Sequence, residues 1–332
     1  MSTTSVERLR ALEAPEGNRR NAGMPLDLGW VKQVQLNRSA VERRALMFTS
    51  RRTIKREWQA AWLLRAIRCI DLTTLSGDDT PGKIRRVCAK ARHPIRDDLV
   101  AALDIATLGI TAGAVCVYPT MVPNAFRALE GSGIPVASVA TAFPAGLSPL
   151  KLRLEEIVYA VEAGAAEIDA VITREHVLTA NWERLYDEVT VFREACGHAH
   201  LKVILAAGEL GTLRNVQKAS LVAMMAGADF IKTSTGRETV NATLEIGLAV
   251  VRAIREYRQR TGYRVGIKAA GGIHHAKEAL DWLILLKEEL GREWLAPELF
   301  RIGASTLLND VERQLEHYVT GRYSAGYRHP IV

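Results

Sequence analysis

Eight short apolar runs, each about as long as one β-strand, recur along this chain between longer amphipathic stretches. The runs span Arg68–Leu72, Gly113–Tyr118, Pro135–Thr141, Glu167–Ile172, Leu201–Ala206, Asp229–Thr233, Val265–Ala269 and Phe300–Gly303. Helical spacing of apolar residues follows many of them, for example in Leu152–Ala163, Asn181–Ala195, Thr243–Arg260, Ala276–Leu290 and Leu307–Val319. Strands that alternate with helices predict a parallel sheet, and eight of them predict a closed (β/α)8 barrel, the TIM barrel.

An open, doubly wound sheet is the main alternative for alternating strands and helices. In that fold a glycine-rich dinucleotide fingerprint commonly follows the first strand, and the residues after Leu72 contain none. The sequence therefore favours the barrel, in which residues near the carboxyl ends of the strands line one catalytic face.

The rest of the chain is predicted to form a helical extension and two tails. We expect residues 1–25 to be a flexible polar tail, residues 26–66 a helical extension, residues 67–320 the barrel, and residues 321–332 a C-terminal tail. One face of a helix in the extension can carry four large apolar side chains, Trp58, Trp62, Leu63 and Ile67. We hypothesise that this face packs against the bottom or the side of the barrel.

Charge and cysteine content narrow the classes of function. The formal net charge is +7, but basic and acidic residues are interleaved, so anionic ligands are favoured without a choice between phosphorylated metabolites and nucleic acid. Four widely spaced cysteines indicate reduced thiols in a cytoplasmic protein rather than disulfides or a zinc site. We expect no membrane span, because no apolar stretch approaches roughly 20 residues. The Ser-, Thr- and Arg-rich start leaves a transit peptide open, although its three glutamates favour a polar tail.

Charged residues inside strand-like runs carry most of the functional information, because an unpaired buried charge is costly. Five runs contain one each, and the residues are Asp71, Asp169, Lys202, Lys232 and Lys268. Each alone could be a structural ion pair or an edge position. In a barrel, however, side chains from different strands converge, which makes the set a candidate catalytic site.

Lys232 and Lys268 lie on adjacent predicted strands, so their ammonium groups should be close to each other. Two charges about 5 Å apart repel by roughly 3 kcal/mol at an effective dielectric of about 20, which corresponds to about two pKa units. One lysine can then be neutral near pH 7 and able to form a Schiff base. Asp169 could shuttle protons during that chemistry.

Glycine and serine residues after the last two runs suggest where an anion would bind. Gly271-Gly272 and Gly303-Ala304-Ser305 each precede a predicted helix, where backbone N–H groups often hold phosphate. The same residues could equally be turn glycines and an N-cap serine. Other candidates are weaker: the histidine pairs near positions 198 and 274 are too sparse for a metal site, and the basic cluster at residues 51–56 is most simply a solvated helix face.

Seven segments together resemble deoxyribose-phosphate aldolase, in the longer form found in animals, with coverage from about Leu26 to Tyr323. They are Asp71-Leu-Thr-Thr-Leu, Val-Cys116-Val-Tyr-Pro, Glu-Ile-Asp169, Leu-Lys202-Val-Ile-Leu with Gly208-Glu209-Leu210, Phe-Ile-Lys232-Thr-Ser-Thr-Gly, Lys268-Ala-Ala-Gly-Gly and Arg301-Ile-Gly-Ala-Ser. The resemblance implies reversible cleavage of 2-deoxy-D-ribose 5-phosphate to D-glyceraldehyde 3-phosphate and acetaldehyde, in deoxyribonucleoside catabolism. It implies no cofactor and no metal.

The resemblance also implies roles for individual residues. Lys232 would form the Schiff base, Lys268 would lower its pKa, and Asp169 would activate a water that carries protons. A supporting set would be Asp71, Thr73, Cys116 and Lys202, with Lys202 paired to a carboxylate. The phosphate would be held by residues such as Gly236, Gly271, Gly272, Gly303 and Ser305.

Three positions depart from the family pattern. Ala269 stands where the animal-type members have proline, and Ala170 and Thr173 alter the run after Asp169. The chain ends in His-Pro-Ile-Val rather than in the tyrosine that some bacterial members use, which leaves Tyr323 and Tyr327 as substitutes.

Two other functions stay open at this stage. One is a different phosphosugar lyase or isomerase on the same barrel, since a fold does not fix a reaction. The other is a non-catalytic protein that binds a phosphometabolite or nucleic acid. We expect a small phosphorylated sugar as ligand rather than nucleic acid, and the sequence leaves self-association undecided.

Overall fold

The barrel of this protein is closed. The computed structural model describes residues 20–50 and 54–329, and in it each strand pairs in parallel with the next one along the chain while β8 pairs with β1. The strands are β1 (Ile70–Thr73), β2 (Ala114–Val117), β3 (Val136–Ala140), β4 (Glu167–Val171), β5 (His200–Ile204), β6 (Phe230–Lys232), β7 (Gly266–Ala270) and β8 (Phe300–Ala304). Each of the eight predicted runs overlaps one strand, so the predicted fold is confirmed.

Helices connect the strands and precede the barrel. The α-helices are α1 (Leu28–Gln33), α2 (Arg38–Ser50), α3 (Arg56–Arg68), α4 (Pro81–Arg92), α5 (Asp97–Ala102), α6 (Val122–Leu129), α7 (Leu150–Glu162), α8 (Arg174–Leu178), α9 (Trp182–Ala195), α10 (Leu213–Met225), α11 (Leu244–Thr261), α12 (Ala276–Glu289) and α13 (Leu307–Thr320). Short 3-10 turns lie at Ala106–Leu108, Pro119–Met121, Ala207–Glu209, Arg292–Trp294 and Gly326–Arg328. In the parts of the chain described here, no helix is long and apolar enough to cross a membrane.

Side-chain caps fix where several barrel helices begin. Thr80, Asn181, Thr212 and Thr243 each accept a hydrogen bond from a backbone N–H three residues later. These bonds satisfy donors that have no partner within the helix, and such a cap contributes about 1 kcal/mol. Local sequence therefore sets where these four helices begin.

Strand pairing determines which side chains meet inside the barrel. Asp169 is in register with Lys202 between β4 and β5, and Lys232 is in register with Lys268 between β6 and β7. Lys268 is in turn in register with Arg301 on β8. Because side chains alternate between the two faces of a strand, these residues all point into the barrel interior.

Two apolar regions surround the strands. The large core lies between the strands and the helices and includes Phe192, Tyr257 and Trp294. A second, small cluster lies within the barrel near its carboxyl-terminal end and contains Cys116, Ala137, Val139, Phe143, Val171 and Ile204. This small cluster gives the charged interior an apolar wall on the side of β2 to β5.

The helical extension packs on the outside of the barrel. Helix α2 contacts α11 and α12, and α3 contacts α12 and α13 before leading directly into β1. Phe48, Trp62 and Ile67 are buried in these contacts. The expectation that Trp58 shares the buried face is wrong, because its side chain is 46% exposed.

Both ends of the described chain are held against the barrel. Arg20 Nη2 lies 3.0 Å from Asp229 Oδ2, just before β6, and the amide of Asn21 donates to the carbonyl oxygens of Met224 and Ala228. The final part of the predicted flexible tail is therefore bound, while residues 1–19 lie outside the described chain. Near the other end, the buried His329 lies between Glu312 and Glu316 of α13. Residues 330–332, and residues 51–53 of the basic cluster, also lie outside the described chain.

Candidate active site

Seven charged side chains converge inside the barrel. All of them are less than one-tenth exposed, and they come from β1, β4, β5, β6, β7 and β8. They are Asp71, Glu167, Asp169, Lys202, Lys232, Lys268 and Arg301. The five residues found inside strand-like runs are thus brought together, and two more join them.

Asp169 lies at the centre of the lysines. Its Oδ2 accepts hydrogen bonds from Lys232 Nζ at 2.8 Å and from Lys268 Nζ at 2.7 Å. Its Oδ1 lies 3.3 Å from Lys202 Nζ. One carboxylate therefore contacts three amines that come from three adjacent strands, which makes Asp169 a suitable relay for protons between them.

Arg301 and Glu167 form a floor beneath the lysines. The guanidinium donates to Asp71 Oδ1 at 2.6 Å and to the two oxygens of Glu167 at 2.7 and 3.2 Å. Lys202 Nζ donates to Glu167 Oε2, and Lys268 Nζ lies 2.6 Å from Asp71 Oδ2. The sequence reasoning missed both floor residues. Glu167 precedes Asp169 by two residues, a spacing that puts both on the same face of a strand, so this signal could have identified it.

Basic groups outnumber acidic groups in this cluster, since four basic side chains face three acidic ones. Lys268 is buried, but Asp169 and Asp71 outweigh that effect and hold its pKa well above the ordinary value. Burial lowers the pKa of Lys232, and the charge of Lys268 acts in the same direction against the attraction of Asp169. Of the two lysines that are in register between β6 and β7, Lys232 is therefore the one that loses its proton more easily. Burial is the larger cause of this lowered pKa, whereas the sequence predicts repulsion from Lys268 as the cause.

Apolar contacts provide that burial. The ring of Phe143 lies 5.6 Å from Lys232 Nζ, and Cys116 Sγ lies 3.9 Å from Asp169 Oδ2. Burial also raises the pKa of the Cys116 thiol. Cys116 is thus a protonated, space-filling neighbour of the cluster rather than a nucleophile.

A cavity of about 620 Å³ opens above Lys232 and Lys268, a size typical of small-molecule sites. Thr73 and all five predicted phosphate residues line it: Gly236, Gly271, Gly272, Gly303 and Ser305. Asp71, Cys116, Asp169 and Lys202 lie beneath this surface, buried in the barrel. Arg237 also lines the cavity, and its guanidinium donates to the carbonyl oxygen of Leu75 at 2.7 Å, which places a cation at the rim.

Two of the cavity glycines lie in close packing, and at Gly271 a side chain would not fit unless its neighbours moved. A side chain on Gly271, whose φ is 80°, would place its Cβ 2.8 Å from Gly236 Cα in the neighbouring loop. A Cβ on Gly303 would lie 3.2 Å from Lys268 Cε. The N–H of Gly236 already donates to Glu238 at 3.1 Å. Gly236 therefore offers the cavity a close loop contact rather than a free donor.

Two of the positions that depart from the family pattern, Thr173 and Ala269, lie in segments held by hydrogen bonds. The backbone N–H and hydroxyl of Thr173 both donate to Glu188, which anchors the loop after β4. Ala269 is fully buried in β7, where the neighbouring Lys268 carbonyl accepts from Thr233 N at 3.0 Å. Pairing on this strand fixes the backbone beside Lys268 without a proline.

The remaining candidates have other surroundings. Tyr323 stacks on His317, with ring centroids 4.0 Å apart, and Tyr327 is 86% exposed, so neither lines the cavity. His275 caps α12, and His274 Nδ1 lies 3.1 Å from Thr306 Oγ1 at the cavity wall. Within residues 20–50 and 54–329, no three side chains of the His, Cys, Asp or Glu type form a group that could hold a metal ion.

Comparison with known sequences gives a consistent family match. The family described as DeoC/LacD family aldolase matches residues 65–312. The deoxyribose-phosphate aldolase of Homo sapiens is 62% identical over 313 residues, which are 94% of this chain and 98% of that one. The deoxyribose-phosphate aldolase of Mus musculus is 63% identical over 311 residues, covering 93% of this chain and 98% of that one.

Comparison with solved structures supports the barrel. The crystal structure of the apo form of a Toxoplasma gondii protein has a TM-score of 0.65 to this chain at 25% sequence identity. The match covers 81% of this chain and 99% of the other.

Proposed function

The chain belongs to the DeoC/LacD family of aldolases, and from that premise we propose that Lys232 is the nucleophile of a class I reaction. The reaction is the reversible cleavage of 2-deoxy-D-ribose 5-phosphate to D-glyceraldehyde 3-phosphate and acetaldehyde. It belongs to the breakdown of deoxyribonucleosides. One observation carries the proposed mechanism: of the two lysines that line the open cavity, Lys232 has a lowered pKa and Lys268 a raised one.

Formation of the covalent intermediate begins at Lys232 Nζ. The neutral amine attacks the C1 aldehyde of the open-chain sugar, forming a C–N bond and an alkoxide that takes up a proton. Loss of that hydroxyl as water then leaves a protonated imine. Asp169 Oδ2, which contacts both Lys232 and Lys268, supports the proton transfers, either directly or through one water.

Cleavage follows from the electron demand of the imine. A base removes the proton of the C3 hydroxyl, the C2–C3 bond breaks, and its electron pair moves into the imine to give an enamine. D-glyceraldehyde 3-phosphate leaves. Protonation of the enamine carbon and addition of water then release acetaldehyde and restore the amine of Lys232.

The phosphate is proposed to lie at the other side of the same cavity. Gly272 and Ser305 line this side, where α13 begins at Leu307. The N-terminus of a helix carries free backbone N–H groups and partial positive charge, both of which favour an anion. Arg237 adds a full positive charge at the rim. This arrangement positions C1 over Lys232 while the phosphate remains near solvent.

The test is covalent trapping. The protein is mixed with deoxyribose 5-phosphate and borohydride, and its intact mass is compared with that of Lys232→Ala and of a control, Lys32→Ala, in which the replaced lysine is exposed on α1. We expect a reduced adduct in the parent and in the control, mapped by peptide analysis to position 232. An adduct on another lysine would contradict the assignment.

Absence of both adduct and turnover in a folded parent would favour the binding-protein alternative. In that case we would change Ala269 to proline first, to match the family pattern. Affinity for DNA that falls steeply with salt would identify a nucleic-acid binder, an outcome that we do not expect.

We also propose that the protein works in the cytoplasm and pairs with a second copy of itself. Its four cysteines are buried free thiols, a state that a reducing compartment maintains. On α7, the stripe of Leu150, Val158 and Tyr159 is 39–48% exposed. Lys151 near the start of α7 and Glu162 at its end would pair if two copies of this helix packed antiparallel.

Sedimentation velocity tests the pairing. Val158→Glu is expected to shift the protein towards the monomer. Leu178→Glu, a change at a similarly exposed residue on α8, should not. Equal sedimentation of the two variants and the parent would contradict the proposed surface.

A further inference from the structure

Arg301 has contacts that suggest a role in the charge state of the site. Its guanidinium bridges Asp71 at 2.6 Å and Glu167 at 2.7 Å, and it is 5% exposed. It is not among the residues that line the cavity, so a substrate above Lys232 does not touch it. Any influence of Arg301 on the reaction must therefore act through other residues.

Every strand but one contributes an ionisable group to the barrel interior. These groups are Asp71 on β1, Cys116 on β2, Glu167 and Asp169 on β4, His200 and Lys202 on β5, Lys232 on β6, Lys268 on β7 and Arg301 on β8, while β3 has none. Burial keeps the thiol of Cys116 protonated and lowers the pKa of His200, which favours its neutral form, so the charge is carried by three carboxylates and four basic groups. The interior is electrically balanced when one of the four basic groups is neutral.

Arginine is the one member of this set that cannot release its proton in a protein. Arg301 therefore supplies one permanent positive charge. Lys202, in contact with three carboxylates, and Lys268, in contact with two, supply the other two. Lys232 contacts one carboxylate, whereas Lys268 contacts two and Lys202 three, so a neutral Lys232 gives up the fewest ion pairs.

We propose that Arg301 is a positioning residue whose fixed charge balances the carboxylates beneath the site and thereby keeps Lys232 neutral and nucleophilic. The inference rests on the proposed role of Lys232. Without Arg301, three buried carboxylates would face two lysines, and the proton that restores balance would be taken up by Lys232. Its lowered pKa would then rise, and the reactive fraction near neutral pH would fall.

The test uses charge removal and charge restoration. Arg301→Met removes the positive charge, Glu167→Gln removes one negative charge, and the double variant removes both and restores the balance. The acid limb of kcat/KM against pH reports the ionisation of the free enzyme. Acylation of Lys232 by acetic anhydride, followed by peptide mass analysis across pH, reports the same ionisation without turnover.

We expect Arg301→Met to move the acid limb upward by about one pH unit, which corresponds to about tenfold less neutral amine below the limb. Glu167→Gln should move it downward, and the double variant should return it towards the parent. Arg301→Lys keeps the charge and should stay near the parent. A loss of activity that is equal in Arg301→Met and Arg301→Lys, with an unchanged limb, would show a purely structural role and overturn the inference.

The role of Arg301 remains testable even if one variant does not fold. If Arg301→Met does not fold, the downward shift in Glu167→Gln remains a prediction of opposite sign, and its absence overturns the inference. The proposed function fails differently, through loss of the borohydride adduct in the parent protein. A parent that traps substrate at Lys232, together with variants whose acid limbs all coincide, would reject the role of Arg301 alone.

Discussion

The two ends of the barrel differ in residue composition and in packing. At the carboxyl-terminal end, glycine-containing loops surround a cavity above two lysines. At the amino-terminal end, Trp294 is fully buried and its Nε1 donates to the carbonyl oxygen of Val265 at 3.0 Å, just before β7. Arg65 of α3 donates to the carbonyl oxygen of Leu295 nearby, and Asn21 is buried against the loop before β6.

The difference separates stability from chemistry along the barrel axis. The amino-terminal end satisfies its polar groups and buries large apolar side chains, so changes there should cost folding energy. At the carboxyl-terminal end, the buried amine of Lys232 lies at an open cavity, so changes there should lower activity. The charged cluster lies between the two ends and contributes to both properties.

The largest expected effect is at Lys232. Lys232→Met should lower turnover by about 10⁴-fold or more, because the nucleophile is lost. The melting temperature should stay equal or rise, because the three remaining cations match the three carboxylates and no amine is buried at this position. Lys202→Met is the matched control. It removes one of the two cations that contact Glu167 and should destabilise the fold by about 3–5 kcal/mol. Equal melting temperatures of the two variants would contradict the charge count.

At the amino-terminal end, Trp294→Ala should lower the free energy of unfolding by about 3–5 kcal/mol, measured by denaturant titration. The folded fraction should still form the borohydride adduct at Lys232. Trp58→Ala, which changes a 46% exposed tryptophan on α3, should cost clearly less. If the adduct yield of Trp294→Ala falls below its folded fraction, the two ends of the barrel are coupled.

Acid should destabilise the charged cluster. The pKa values of Asp71, Glu167 and Asp169 are lowered in the fold, because nearby cations outweigh the effect of burial. In the unfolded chain the pKa values of these groups are about 4. Their stabilising contribution is therefore complete above that pH and is lost as the pH falls through the lower folded values.

Denaturant titration between about pH 5 and pH 2 measures this loss. The free energy of unfolding should fall with decreasing pH in the parent and fall less steeply in Asp71→Asn. Asp187→Asn, a change at an exposed carboxylate on α9, should follow the parent. Parallel curves for all three proteins would place the acid sensitivity outside the cluster.

The smallest expected effect is at the rim of the cavity. Ser305→Ala removes one hydroxyl beside the start of α13 and should raise KM for deoxyribose 5-phosphate by about fivefold, in line with about 1 kcal/mol for a hydrogen bond. KM for unphosphorylated deoxyribose should not change, because the hydroxyl is assigned to the phosphate. A similar rise for both substrates would place Ser305 elsewhere on the sugar.

Much of this architecture followed from the sequence. Eight apolar runs predicted eight strands, because strand-length hydrophobic segments separated by helices have few other solutions. Charges inside those runs predicted Asp71, Asp169, Lys202, Lys232 and Lys268 as site residues, because an unpaired charge in a strand interior is costly. The structure brings these five side chains into contact.

Other features depended on how the closed barrel brings distant strands together. Arg301 and Glu167 are 134 residues apart and meet because β8 and β4 face each other across the interior. The sequence predicted the two adjacent lysines, but only the tertiary structure decided which one has the lowered pKa. That choice depends on the number of carboxylates each lysine contacts and on its burial, and both are set by strand register and barrel closure rather than by local pattern.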